Sequence, residues 1–278
     1  MKLVLYANSE PASELVVEEF AIDVPPASFW GGETRQPELL AAFVKPNGIY
    51  VESLVKQVTK LLESAGHGRS AGGYQLNTRE KPYLMAACLW NVIFSQRLAY
   101  VSPPPGFARN GQRVRLPADI STSGMAACLD SSLLFASCLE LMGLNPVIAL
   151  TEEDAFVGFW LRDDCVPLLT CDDPMDLRKR VDSRDMVLFE STLITNDSPV
   201  TFEETKAAVR ELINEDKEKD FVFVLDVSQA RAKKIKPLST IEIRTEEADG
   251  SAPGPLLIPP VPPLPPVRPD EKTIYQHF

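Results

Sequence analysis

The stretch Gly124-Met125-Ala126-Ala127-Cys128-Leu129-Asp130 runs directly into the apolar segment Leu133 to Met142, which Gly143 ends. Small residues followed by a sustained helical pattern predict a helix over about Ala127 to Met142, with Cys128 at its start. Backbone N–H groups in a first helical turn have no partner within the helix, and the helix dipole is positive there. Both effects favour a thiolate at such a position. Downstream, Val147 to Leu150 and Ala155 to Leu161 read as two strands joined by the tight acidic turn Thr151 to Asp154. Pro174 starts a short helix through Arg178-Lys179-Arg180, and Met186 to Glu190 gives another strand. Thr201-Phe202-Glu203-Glu204 is a capping box, and Phe221 to Leu225 is a continuous apolar strand suited to a sheet interior.

Upstream the pattern is helical. Residues 1 to 30 hold a strand-like start and a proline-rich loop ending in Phe29-Trp30. Pro37 opens a short helix, Glu38 to Val44, that Pro46 closes. Asn47 is placed to cap the next helix, whose stripe Val51, Val55, Val58, Leu62, Ala65 has a clean helical period and stops at Gly66. A third helix is expected from Arg79 to Leu98, apolar on most faces and therefore buried. The linker from Pro103 to Pro117 reads as loop. Its Arg109, Arg113 and Arg115 form a basic island in an acidic chain, which reads first as a solvated loop tied down by carboxylates, with an anion site as the alternative.

Composition narrows the classes. The chain has 278 residues, 45% of them apolar, enough for a sizeable core. A formal net charge of −11 argues against a broad phosphate-binding surface, so no direct nucleic-acid binding is expected. No run of 18 apolar residues suggests a membrane span, and Met1 to Tyr6 is soon too polar for a signal peptide. Five cysteines (Cys88, Cys128, Cys138, Cys165, Cys171) form no paired framework and read as reduced thiols of a cytoplasmic protein. Asp130, Asp164, Asp172 and Asp173 are turn and surface carboxylates on this reading, so no metal and no cofactor is assigned. From Glu246 the chain turns acidic and then proline-dense, with nine of its 24 prolines between Pro253 and Pro269, as in extended polyproline II. Within it, Pro263-Leu264-Pro265-Pro266-Val267-Arg268 fits a motif read by aromatic grooves, although a plain linker is the simpler account.

The cysteine stretch, the segment Asp154-Ala155-Phe156-Val157-Gly158-Phe159-Trp160 and Leu188-Phe189-Glu190-Ser191-Thr192 together resemble the transglutaminase-like branch of the papain-like fold. Leu144-Asn145-Pro146 extends the likeness, which covers roughly residues 28 to 240. The resemblance implies an α+β fold with a papain-like, transglutaminase-like core: N-terminal helices, and a cysteine helix packed on an antiparallel sheet. It implies a domain over residues 31–245, with 1–30 as an N-terminal strand and loop and 246–278 as a tail or linker. Shorter matches, Trp30-Gly31-Gly32, Pro37-Glu38-Leu39-Leu40, Gly73-Tyr74-Gln75, Pro103-Pro104 and Gly111-Gln112, resemble a prokaryotic subgroup in which this domain precedes a superfamily-one helicase. By analogy the partner is a protein or peptide, including a helicase subunit or domain, in a setting such as prokaryotic defence. No Gly-x-x-x-x-Gly-Lys-Ser/Thr loop occurs, so the helicase itself is expected to lie outside this sequence.

In that family a cysteine attacks an amide carbonyl, a histidine carries the proton, and a carboxylate orients the imidazole. The resemblance puts Cys128, position 154 and Glu190 in these roles. Here position 154 is aspartate. The only histidines are His67, in a Gly/Ser-rich loop, and His277, next to the C-terminus. An aspartate with a reference pKa of about 3.9 cannot readily take a proton from a thiol at about 8.5. Its charge also raises the thiol, and Glu190 adds to the repulsion. The expected result is a weak or dead nucleophile in a module that acts by binding. Asp154 is then either the residue of a natural pseudoenzyme or a deliberate change. The alternative is a cysteine hydrolase or protease, active in its unmodified form.

Overall fold

The structure, a computed structural model, describes residues 26–67, 73–75, 78–239, 260 and 262, and the backbone of the strands Lys2–Tyr6 and Glu14–Glu19. Those two strands pair antiparallel, with Lys2 opposite Glu19. His277 and the proline-rich tail, apart from positions 260 and 262, lie outside the described residues.

Pro37 opens a short 3-10 helix, Pro37–Phe43. The first long helix, Ile49–Ser64, buries Val51, Leu54, Val55, Val58, Leu61 and Leu62, as its periodicity dictates. Gly48 rather than Asn47 is its N-cap, and no side chain bonds there. The second long helix, Glu80–Phe94, is buried on nearly every face, from Tyr83 to Ile93. It stops short of the predicted Leu98. The Ser95 hydroxyl donates to the Val92 carbonyl, and Arg97 takes a left-handed φ of 53°, which a helix cannot continue through. The released chain forms the two-residue strand Ala99–Tyr100, parallel to Met125–Ala126.

The segment expected to be loop is ordered by short elements. A single helical turn, Phe107–Asn110, leads to the strand Gln112–Arg113, which pairs with Phe29–Trp30. The helix Pro117–Ser123 follows. Two glycines clasp this pairing. A Cβ on Gly111 (φ +80°) would lie 2.0 Å from the Trp30 carbonyl oxygen, and one on Gly32 (φ +77°) would lie 2.4 Å from the Arg109 carbonyl oxygen. Only residues without side chains permit so close an approach.

The fold is α+β, with one five-stranded antiparallel sheet. Its strand order is Met186–Phe189, Ala155–Trp160, Pro146–Thr151, Phe221–Asp226, Thr170–Cys171. Alternate residues serve two cores. Ile148, Leu150, Val157, Phe159 and Phe189 pack with the long helices and the cysteine helix, Cys128–Leu141. Val147, Ala149, Phe156, Trp160 and Leu188 pack with Leu177 of Pro174–Asp182 and with Val209 of Phe202–Leu212. Both faces are covered, so the two central hairpin strands are buried throughout and read as apolar runs without alternation. Among the described residues no helix is long and apolar enough to cross a membrane.

Candidate active site

The cysteine helix begins at Cys128, with Ala127 as its extended N-cap. Asp130, fully buried in its first turn, accepts the Ala127 N–H at 2.9 Å, the Arg115 N–H at 2.8 Å and an Arg115 guanidinium N–H at 3.1 Å. One carboxylate therefore fixes both the start of the helix and the loop that crosses it. Asp130 acts as a cap and a tie.

Asp154 is the last residue of the tight turn between the two hairpin strands. The turn closes through the Thr151 N–H on the Asp154 carbonyl at 2.8 Å and the Asp154 N–H on the Thr151 hydroxyl at 3.0 Å. Its carboxylate is half-buried and has no hydrogen-bond partner among the described residues. Glu190 follows the edge strand Met186–Phe189. Its Oε1 accepts both the N–H and the hydroxyl of Thr192, at 2.8 and 2.7 Å, while its own N–H donates to the Thr205 carbonyl.

A buried hydroxyl network holds these three segments together. The Ser191 hydroxyl, one residue past Glu190, bonds Ser131 at 2.8 Å and Ser132 at 2.9 Å on the cysteine helix. Ser132 donates onward to the carbonyl of Ala155, one residue past Asp154. Ser131 also lies 3.0 Å from the Cys128 carbonyl, so three hydroxyl protons are shared among the four contacts of the network. All three serines are buried, where unmade hydrogen bonds are costly, so the network fixes the relative placement of the segments.

The electrostatics follow from this placement. Cys128 is 0% exposed. Burial first, and then the Asp154 charge, push its thiol up to about 12, with Glu190 adding in the same sense. N–H groups of Ala155 and Leu129 pull the other way without prevailing. Burial also raises the Asp154 carboxyl, followed by repulsion from Glu153. The Glu190 carboxyl is raised by burial and then by Asp154, against the lowering effect of the Thr192 bonds. The three groups thus share one electrostatic neighbourhood, although no hydrogen bond joins their side chains directly among the described residues.

No family model, curated protein or solved structure matches this chain.

Two features went unread in the sequence. Tyr100 is 45% exposed and lies within the field of Cys128, Asp154 and Glu190; partial burial and then these three charges push its phenol up to about 12. It owes this position to the parallel pairing that sets Tyr100 opposite Ala126, a two-residue contact with no periodic signature. The second feature is an open groove of about 510 Å³ whose lining includes Ala127, the residue before the cysteine. Val101, Pro103 and Pro104 line it together with Gln112, Arg113 and Arg115. The basic island is partly tied by carboxylates: Arg109 pairs with Glu152 in the turn that carries Asp154, and Arg115 pairs with Asp130. His67 lies just past the first long helix, before the second, and bonds through its backbone to Leu62 and Lys81. Among the described residues no group of three or more His, Cys, Asp or Glu side chains could hold a metal ion.

Proposed function

We propose that this chain is a transglutaminase-like domain of the papain-like fold whose cysteine-hydrolase site is disabled by Asp154, and that it acts by holding a protein or peptide. The observation that carries this reading is the thiol at the helix start. Cys128 is buried, lies within the field of Asp154 and Glu190, and has its thiol pushed up to about 12, first by burial, where a nucleophile would need to be lowered. A carboxylate neighbour cannot serve as its base and opposes its ionisation. The groove that Ala127 helps to line supplies a surface for an extended chain.

Replacing Asp154 with histidine tests the reading. Iodoacetamide labelling is followed against pH, with Cys128 resolved by mass spectrometry from the partly exposed Cys165 and Cys171. In the chain as given, Cys128 should label slowly at neutral pH. Asp154→His should create a fraction reactive at low pH, because an imidazolium beside the sulfur replaces a repelling carboxylate. The added change Glu190→Gln should remove that fraction. Equal low-pH reactivity with and without the change would end the degenerate-triad reading. So would a histidine variant whose Cys128 stays inert.

A further inference from the structure

The groove beside Ala127 carries a chemistry that the cysteine site does not use. Gln112 is 3% exposed, and its Nε2 is buried without an acceptor among the described residues. A buried amide donor left unpaired costs free energy comparable to a lost hydrogen bond, so an acceptor that reached it would be favoured. Arg113, next along the strand, is exposed and makes no ion pair among the described residues. Arg115 spends its backbone N–H and one guanidinium N–H on Asp130, which leaves further donors on the same planar fork.

These donors share a lining with the apolar wall of Val101, Pro103 and Pro104 and with the hydroxyls of Ser102, Thr122 and Ser123. One carboxylate, Asp119, is also on the lining; its Oδ2 accepts the Leu116 N–H. In a chain of net charge −11, a lining with two arginines against the one carboxylate of Asp119 is locally less acidic than the rest, with Arg113 the arginine not already paired, since Arg115 meets Asp130.

We propose that this groove binds an acidic peptide segment, with a glutamate or aspartate carboxylate taken by Arg113, Arg115 and the Gln112 amide. The proposal deepens the reading of the domain as a peptide-holding module and rests on it. Guanidinium forks match carboxylate geometry, and charge-assisted hydrogen bonds are the stronger kind. The proline wall and hydroxyls suit an extended peptide backbone. A nucleic-acid strand fits poorly, since its run of phosphates needs more cations than the two arginines on this lining, whereas a single carboxylate does not.

The test uses the full chain and three acetylated, amidated pentapeptides that differ only in a central Glu, Gln or Lys, titrated by calorimetry. The glutamate peptide should bind about tenfold more tightly than the glutamine peptide, with the lysine peptide weakest. The preference should shrink with added salt. Arg113→Gln, at an exposed position, should fold normally and abolish most of the preference. Gln112→Leu should weaken the glutamate peptide more than the other two. Equal binding of all three peptides would overturn the acidic preference while leaving a peptide-holding groove in place. Binding of none would overturn both.

Discussion

Two neighbouring regions treat their polar groups in opposite ways. Around Cys128 the buried side chains of Asp130, Ser131, Ser132, Glu190 and Ser191 all find partners within the chain. In the groove lined in part by Ala127, the buried Gln112 Nε2 and the exposed Arg113 find none among the described residues. A closed set of hydrogen bonds fixes geometry, whereas an open set waits for something from outside. The contrast assigns construction to the first region and recognition to the second, although both meet at the start of one helix.

The comparison breaks most forcefully at Asp130, a side chain that serves both regions. Burial raises its carboxyl against the bonds from Ala127 and Arg115, so the ion pair itself contributes little net stability. Truncation is another matter. Asp130→Ala removes the acceptor of two backbone N–H groups and the partner of the partly exposed Arg115 guanidinium, and should cost about 3 kcal/mol in urea unfolding. A loss below about 1 kcal/mol would show that the two regions are held together by other contacts.

A smaller effect is expected within the serine network. Ser132→Ala deprives Ser191 and the Ala155 carbonyl of a partner in a dry interior and should cost about 1–3 kcal/mol. The same variant should loosen Asp154 relative to Cys128, visible as faster amide exchange at Ala155. A Ser132 variant as stable as the parent would mean that packing alone sets the register.

The smallest effect is a pH dependence at Glu190. Its folded-state carboxyl is raised by burial and by Asp154, so the folded chain holds this proton more firmly than the unfolded chain. The associated stability is complete below the ordinary glutamate range and is lost as pH rises through the raised value. Glu190→Gln removes the titration and keeps an oxygen for Thr192. Its thermal midpoint should therefore fall less than the parent's between acid and neutral pH, by at most about 2–4 °C. Parallel profiles for the two proteins would place Glu190 outside the charge cluster.

The constructional region was the more legible in sequence, for a physical reason. The cysteine helix and the helix that Thr201 caps run through several turns, and the strands over 146–160 and at Phe221 are apolar runs, patterns long enough to read locally because burial enforces them. The groove is built differently. It depends on two-residue pairings such as Trp30 with Gln112, between segments far apart in the chain, and no local period announces them. Pro103 to Pro117 looked like loop because prolines and glycines interrupt it, yet the glycine at 111 is what allows the backbones to meet. Ser131 and Ser132 stand out in an apolar helix, but their partner Ser191 is identifiable only once the strands are placed.

The position of Phe221–Asp226 has a consequence for how the chain is made. This strand lies inside the sheet, between Pro146–Thr151 and Thr170–Cys171, yet it leaves the ribosome after every other strand of that sheet. Until then, a nascent chain can fold its long helices and the 146–160 hairpin, but it carries a bare, apolar edge along Pro146–Thr151. Such an edge is a template for pairing with other chains. Asp226 arrives at the end of the late strand and binds the Trp160 indole N–H and the Val166 N–H, each at 3.0 Å. Synthesis interrupted before residue 221 would therefore release a species prone to aggregate, and the window of risk closes only as that carboxylate reaches its two donors.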